Sequence, residues 1–166
     1  MKRIIFSGPD GIASVIIPAY NDEATGKRED ETEADYLARV VARNVEAGVL
    51  PPATMYAIID EAELPVRHYR NAWRVDVVAG LASVKHDMVV ARQMKLDQEI
   101  RPERNRRLAA KDVEFTKALG AKDQAAADAV ESTRQQLRDI PATVTTVLAV
   151  ISDPTALKAF SPVWPA

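Results

Sequence analysis

The chain has 166 residues, a net charge of −2 and 47% apolar residues, which is the size and balance of one ordinary globular domain or two small ones. It contains no cysteine, which excludes disulfides, thiolate metal sites and cysteine nucleophiles. The slightly acidic balance predicts no general attraction to nucleic acid or to anionic lipid. The apolar run from Val147 to Ile151 is far too short to cross a bilayer, so no membrane partner is expected.

The first elements are predicted to form a β-hairpin. Arg3–Phe6 and Ile12–Ile17 are rich in β-branched and aromatic residues. Between them lies Gly8-Pro9-Asp10-Gly11, in which proline presets φ and glycine accepts a positive φ. The acidic, polar stretch Asn21–Glu31 then reads as a loop.

A helix with one apolar face follows this loop. Thr32 is placed to cap it, and Gly48 with Pro51-Pro52 is predicted to end it. The residues that recur at helical spacing are Leu37, Val40, Val41, Asn44 and Val45.

Two further strand candidates are Met55–Asp60 and Asn71–Val78, with a turn suggested at Ala79-Gly80. These strands are expected to join the hairpin in one small antiparallel sheet, with the helix packed on one face. Residues 1–80 would then form a small α+β domain.

A helical hairpin is predicted over residues 84–141. Asp87 is expected to cap a long helix that runs to Leu119, with a kink at Pro102 or two helices that meet there, and Gly120 is expected to close it. Asp123 can cap the second helix, and the short connection between the two requires antiparallel neighbours.

The hairpin has a predicted packing face, and Pro141 is predicted to end it. Leu108, Phe115 and Leu119 supply the stripe on the first helix, whereas Ala126, Val130, Thr133, Leu137 and Ile140 fall at coiled-coil spacing on the second. Association of two copies through this hairpin is therefore one hypothesis.

Residues 142–166 are predicted to be a C-terminal tail that packs on the hairpin or on a partner. Val144–Ile151 is short and β-leaning, and Asp153-Pro154 is typical of a helix start. Trp164 is costly to leave in water, so we expect it to be buried in its own domain or at an interface. The fold class predicted for the whole chain is α+β.

The sequence shows no pattern that indicates catalysis, a cofactor or a metal. His68 and His86 are far apart and lie in no metal-ligand motif. Gly8–Gly11 lacks the lysine and the helix of a phosphate loop, and no two of the acidic residues are singled out as a catalytic pair. We therefore expect no catalytic residue and no enzyme activity.

The basic run from Arg101 to Lys111 carries five cationic residues and raises the alternative of nucleic-acid binding. No aromatic residue is interleaved with them for base stacking. Charges at this spacing are more typical of a solvated helix face, so nucleic acid is not the expected partner.

Leu137-Arg138-Asp139-Ile140-Pro141, followed by Val163-Trp164-Pro165, resembles the C-terminal signature of phage tail assembly chaperones and tail-fibre assembly proteins. Upstream, Arg70–Arg74 and Asp112–Phe115 are similar to segments of a wider set of phage proteins. The resemblance covers residues 69–166.

The resemblance implies a non-enzymatic protein that binds a tail-fibre or receptor-binding protein and helps it to fold or trimerise. Its place would be the host cytoplasm during assembly, or the virion tail if it stays on the fibre tip. The first 65 or so residues carry no such signature, and this leaves open the alternative of a minor tail or baseplate structural protein.

Overall fold

The computed structural model describes residues 1–50, 56–78 and 81–165. The fold is α+β, as the sequence predicts. The chain divides into two compact units, Met1–Asp87 (the first unit) and Met88–Ala166 (the second unit). The predicted division into residues 1–80, 84–141 and 142–166 differs from this in two ways. Residues 81–86 form a strand of the first unit, so the boundary lies after residue 87. Residues 142–166 lie in the same unit as the helical hairpin.

A three-stranded antiparallel sheet forms the centre of the first unit. Its strands are β1 (Lys2–Ser7), β2 (Ala13–Ile16) and β3 (Tyr56–Asp60), in the order β2-β1-β3. The predicted hairpin is confirmed, because β1 and β2 pair around a turn in which Gly11 has a φ of 75°. Strand β3 confirms the third predicted strand from Tyr56 onward, and Met55 lies outside the described residues.

Helix α1 (Glu33–Glu46) begins and ends where local chemistry predicts. The Thr32 hydroxyl accepts a hydrogen bond from the Asp35 N–H at 3.1 Å and so caps the first turn. Gly48 follows the last turn with a φ of 69°, a left-handed conformation that glycine adopts without steric cost. Pro51-Pro52 lies outside the described residues.

The three-stranded sheet of the first unit is covered on both faces. On one face α1 packs against the sheet, and the cluster contains Ile4, Phe6, Tyr36, Leu37, Val40, Val41 and Leu50. On the other face a second cluster contains Ile5, Ala13, Ile59, Trp73 and Val84. Alternate residues of β1 therefore serve two cores, as the period of a strand dictates.

Strands β4 (Trp73–Val78) and β5 (Leu81–His86) pair only with each other among the described residues and form a second, two-stranded sheet. The strand predicted over residues 71–78 is confirmed from Trp73 onward, whereas Arg70–Ala72 form a 3-10 turn. Its expected place in a single sheet is wrong. Trp73 and Val84 instead pack face to face against the first sheet. The predicted turn at Ala79-Gly80 lies outside the described residues.

The second unit opens with helix α2 (Met88–Lys95), a π-helical turn (Leu96–Ile100) and helix α3 (Arg101–Gly120). The sequence predicts either a kink at Pro102 or two helices that meet there. The second alternative describes the structure, because α3 begins at Arg101 directly after the π-helical turn and Pro102 is its second residue. Proline lacks an N–H and its ring collides with the carbonyl four residues back. The wider π-helical turn directly before α3 accommodates that restriction.

Helix α4 (Gln124–Val150) corrects two predictions, because it continues through Pro141 and includes the segment expected to be β-leaning. A proline inside a helix costs about 3 kcal/mol. Val144 and Leu148, beyond Pro141, are both buried, and burial of each such side chain contributes about 1.5–3 kcal/mol. Tertiary packing therefore outweighs the local penalty.

Asp123 caps α4 by accepting the Ala126 N–H at 3.0 Å, as predicted. In the connection between α3 and α4, the residue in the left-handed conformation is not the expected Gly120. Gly120 remains helical, and Lys122 takes the left-handed conformation with a φ of 57°. Helix α5 (Pro154–Ala159) confirms the predicted start at Asp153-Pro154.

Candidate functional site

The helical hairpin of the second unit holds the predicted packing residues at three levels of burial. Leu137 is 1% exposed on α4, and Leu108, Phe115 and Val130 are half-buried. Leu119 is 50% exposed, so its predicted place in the packing face is wrong. Its neighbour Ala118 is 9% exposed instead, because one residue rotates the side-chain direction by about 100°.

Arg134 is the main polar link between the two long helices. It lies on α4, and its Nη2 is 2.7 Å from Oδ1 of Asp112 on α3. Its guanidinium carbon is 4.7 Å from the centre of the Phe115 ring, and it also pairs with Glu131 one turn away. The sequence reading did not single out Arg134, since an arginine on a polar helix face gives no signal of its own.

The end of the chain returns to α3 through Trp164. The Arg107 guanidinium carbon is 4.8 Å from the centre of the Trp164 ring, within the range of a cation–π interaction. Arg107 is held in place because its Nε donates to Oε1 of Glu103 at 2.8 Å. Hydrogen bonds from Arg106 first, and then Arg107, lower the pKa of Glu103 from 4.5 to about 2. Trp164 is thus half-buried within its own unit. This is the first of the two predicted alternatives, burial in its own domain or at an interface with a partner.

A second attachment joins the segment around α5 to α2 and the π-helical turn. The Lys95 side chain is 5% exposed and donates to Oε2 of Glu99 at 2.8 Å and to the Lys158 carbonyl at 3.0 Å. The Lys158 ammonium returns to Oε1 of Glu99 at 2.9 Å. Burial raises the pKa of Glu99, but the hydrogen bonds from both lysines outweigh it, and the net pKa is lowered. Arg92 also donates to the Ile151 carbonyl at 2.9 Å.

The predicted signature residues therefore separate into anchors and exposed positions. Leu137 is buried, and Ile140, Pro141, Trp164 and Pro165 are half-buried. Arg138, Asp139 and Val163 are exposed, and Val163 is 92% exposed. Trp164 attaches the tail to the hairpin through Arg107, whereas the exposed positions are accessible to a partner.

The basic run on α3 is largely neutralised by neighbouring carboxylates. Arg101 pairs with Asp97, Arg106 and Arg107 pair with Glu103, and Lys111 pairs with Glu114. Arg104 donates to the amide oxygen of Asn105. This arrangement is that of a solvated helix face with helix-spaced ion pairs.

The first unit contains a pocket that the sequence analysis missed. It encloses about 250 Å³ and is named here the arginine pocket for its three cations, Arg3, Arg67 and Arg70. The rest of its lining is Val15, Ile17, Glu61, Leu64, Pro65, Val66 and Trp73. These residues come from four separate stretches of chain, so no short sequence motif predicts the pocket.

The two histidines belong to the same local structure, although they are far apart in sequence. The His86 Nε2 lies 2.6 Å from the His68 carbonyl oxygen and 3.0 Å from the Trp73 Nε1. Across the parts of the chain that the structure describes, no cluster of three or more His, Asp or Glu residues is arranged to hold a metal ion. Likewise, no helix within the described ranges is long and apolar enough to span a membrane.

Comparisons with protein-family models, with curated proteins and with solved structures found no match.

Proposed function

We propose that this chain is a non-enzymatic bacteriophage tail protein that binds a tail-fibre or receptor-binding protein and assists its folding or assembly. The proposal rests on the resemblance of Leu137–Pro141 and Val163–Pro165 to the signature of tail-fibre assembly proteins. It requires no cofactor, no nucleotide and no catalytic residue. The chain would act in the cytoplasm of the infected cell.

The observation that carries the proposal is the division of the signature into anchors and exposed positions. Leu137 is buried on α4 and Trp164 stacks on Arg107 of α3, so each half of the signature is anchored within the second unit. Arg138, Asp139 and Val163 remain at its surface. A recognition module needs both features, a fixed scaffold and accessible side chains.

The exposed aliphatic side chains of the second unit suit an apolar partner. Val147, Val150 and Val163 are 47%, 80% and 92% exposed. A β-rich fibre tip exposes apolar strand edges before it trimerises, and such edges aggregate. Side chains of this kind cover apolar surface without any chemical step.

Co-expression with the fibre protein of the same phage tests the proposal. The expected result is that soluble, trimeric fibre is recovered with the wild-type chain and is lost without it. Val163→Asp should lower the yield of trimer, because it places a charge on the exposed aliphatic surface. A matched control is Val49→Asp, in the first unit, which is 53% exposed and outside the residues that carry the resemblance. Equal yields with and without the chain would contradict the proposal.

The second candidate is a minor tail or baseplate structural protein that stays in the virion. It is favoured by the long hairpin, whose exposed residues Val113 and Leu119 offer a surface for a second copy. Quantitative mass spectrometry of purified particles separates the two candidates. A fixed copy number per tail favours the structural protein or a chaperone retained on the fibre, and absence from particles favours a transient chaperone.

A further inference from the structure

The arginine pocket of the first unit combines aliphatic walls with a cationic rim. Val15 and Ile17 border one side, and Leu64, Pro65 and Val66 border another. Arg67 and Arg70 lie on the segment that follows Val66. The site lies in a different unit from the tail-fibre signature, so it is independent of the proposed function.

The charges of this pocket do not balance. Arg3 is 7% exposed and is neutralised by Glu61, whose Oε2 lies 2.7 Å from the Arg3 Nη2. Glu61 is the single carboxylate among the lining residues. The Arg70 guanidinium carbon stacks 5.7 Å from the centre of the Trp73 ring, and Arg67 makes no hydrogen bond or ion pair with the described part of the chain. Two positive charges, those of Arg67 and Arg70, are therefore left without a carboxylate in the pocket.

The loop geometry brings these two cations to the same pocket. Tyr69 lies between His68 and Arg70, is 8% exposed and adopts a left-handed conformation with a φ of 53°. This conformation is uncommon for a residue other than glycine, and burial of the Tyr69 side chain holds it in place. Arg67 and Arg70, on either side of this turn, therefore both line the pocket.

The walls and the size of the pocket determine what kind of group fits. Trp73 is 2% exposed, so its ring is already covered and offers no free face for a nucleobase. A volume of about 250 Å³ is below the roughly 300–1,000 Å³ typical of small-molecule pockets. One or two aliphatic side chains fit such a volume, and a carboxylate beside them would reach the rim.

We propose that the arginine pocket binds an extended acidic peptide segment in which an aliphatic side chain alternates with Asp or Glu. The aliphatic side chain packs between Ile17 and Leu64. The neighbouring carboxylate pairs with Arg67 and Arg70, because the guanidinium fork matches a carboxylate in geometry as well as in charge.

NMR titration of the full-length, ¹⁵N-labelled chain tests this proposal. The probe is an end-blocked tetrapeptide that alternates leucine and glutamate, and the control probe is the same peptide with glutamine for glutamate. The test variant is Arg67→Glu with Arg70→Glu, at exposed positions. The matched control is Lys27→Glu with Arg28→Glu, which makes the same change in charge on an exposed loop of the same unit.

The expected result is that the glutamate peptide shifts the amide signals of residues 61–70, with a Kd near or below about 1 mM. The double reversal at Arg67 and Arg70 should weaken binding by about tenfold or more, whereas the control reversal should change it less than about twofold. The single variant Arg67→Ala, which removes no internal contact, should also weaken binding.

Three results would overturn the proposal. The first is that no signal of the pocket shifts at a peptide concentration of about 1 mM. The second is equal weakening by the two double variants, which would indicate unspecific attraction between charges. The third is tighter binding of a short oligothymidylate than of the glutamate peptide, which would assign the pocket to nucleic acid.

Discussion

The guanidinium of Arg107, on α3, lies over the ring of Trp164, which is the third residue from the end of the chain, at 4.8 Å. Arg106 is the adjacent residue on the same helix, and both arginines hydrogen-bond to Glu103. Only Arg107 covers the tryptophan. The two arginines therefore form a natural pair of test and control for the attachment of the tail.

Trp164→Ala should lower the free energy of unfolding of the second unit by about 1–2 kcal/mol, because the ring is half-buried. Arg107→Ala should lower it by about 0.5–1 kcal/mol, the usual size of an exposed cation–π interaction. A double-mutant cycle in chemical denaturation measures the coupling between them. Arg106→Ala, the control, should leave the free energy of unfolding nearly unchanged, because the Arg106 side chain is exposed. Additive single effects would contradict a direct Arg107–Trp164 interaction.

Pro141→Ala should stabilise the second unit by about 1–3 kcal/mol, because Pro141 lies inside α4 and lacks the N–H of an interior helical residue. Thermal unfolding of the variant against the wild type checks this. If the half-buried proline ring instead makes packing contacts that matter more than the missing hydrogen bond, the variant will unfold at a lower temperature.

Lys95→Met should destabilise the second unit by about 2 kcal/mol, because the change removes the buried ammonium that donates to the Lys158 carbonyl and to Glu99. Lys158→Met removes the second ammonium that pairs with Glu99. The Lys158 side chain is 48% exposed, so this change should cost under about 1 kcal/mol. Denaturant midpoints of the two variants give the comparison. Equal losses in the free energy of unfolding would show that the buried Lys95 stabilises the unit no more than the exposed Lys158 does.

Stability should depend on pH through Glu31, which accepts hydrogen bonds from the Arg39 Nε at 2.9 Å and Nη2 at 2.8 Å. The hydrogen bonds from Arg39 are the main cause that lowers the pKa of Glu31 from 4.5 to about 2. Because this pKa is lower in the folded state, the ionised Glu31 contributes to the free energy of unfolding. That contribution is complete above pH 4.5 and is lost as the pH falls towards about 2.

Glu31→Gln removes this contribution, so the difference in stability between variant and wild type should shrink as the pH falls from 5 towards about 2. Urea denaturation across that range measures it. The exposed Glu29→Gln is the control and should show no such trend. A constant difference between Glu31→Gln and wild type would contradict the assigned pKa.

Local chemistry was predictable from the sequence, since each signal lies within a few residues. The turn at Gly8–Gly11 and the caps Thr32, Asp123 and Asp153 are where the sequence predicts them. Each depends on one side chain and a nearby backbone group, so no distant partner is needed.

Features that depend on distant packing were not predictable in this way. Pro141 was expected to end its helix, but burial of Val144 and Leu148 carries the helix onward. The arginine pocket depends on Arg3 and Arg70, which only the fold brings together. Packing of this kind overrides local propensity and has no short-range signature.

Affinity capture is the most direct test of whether the chain binds a tail-fibre or receptor-binding protein. A tagged copy of the chain is recovered from cells that are producing the phage, alongside the double variant Arg138→Glu with Val163→Asp. We predict that the wild-type chain enriches the tail-fibre or receptor-binding protein, and that the variant, altered only at exposed signature positions, enriches it far less. Enrichment of no tail protein by the wild-type chain would contradict the proposed function.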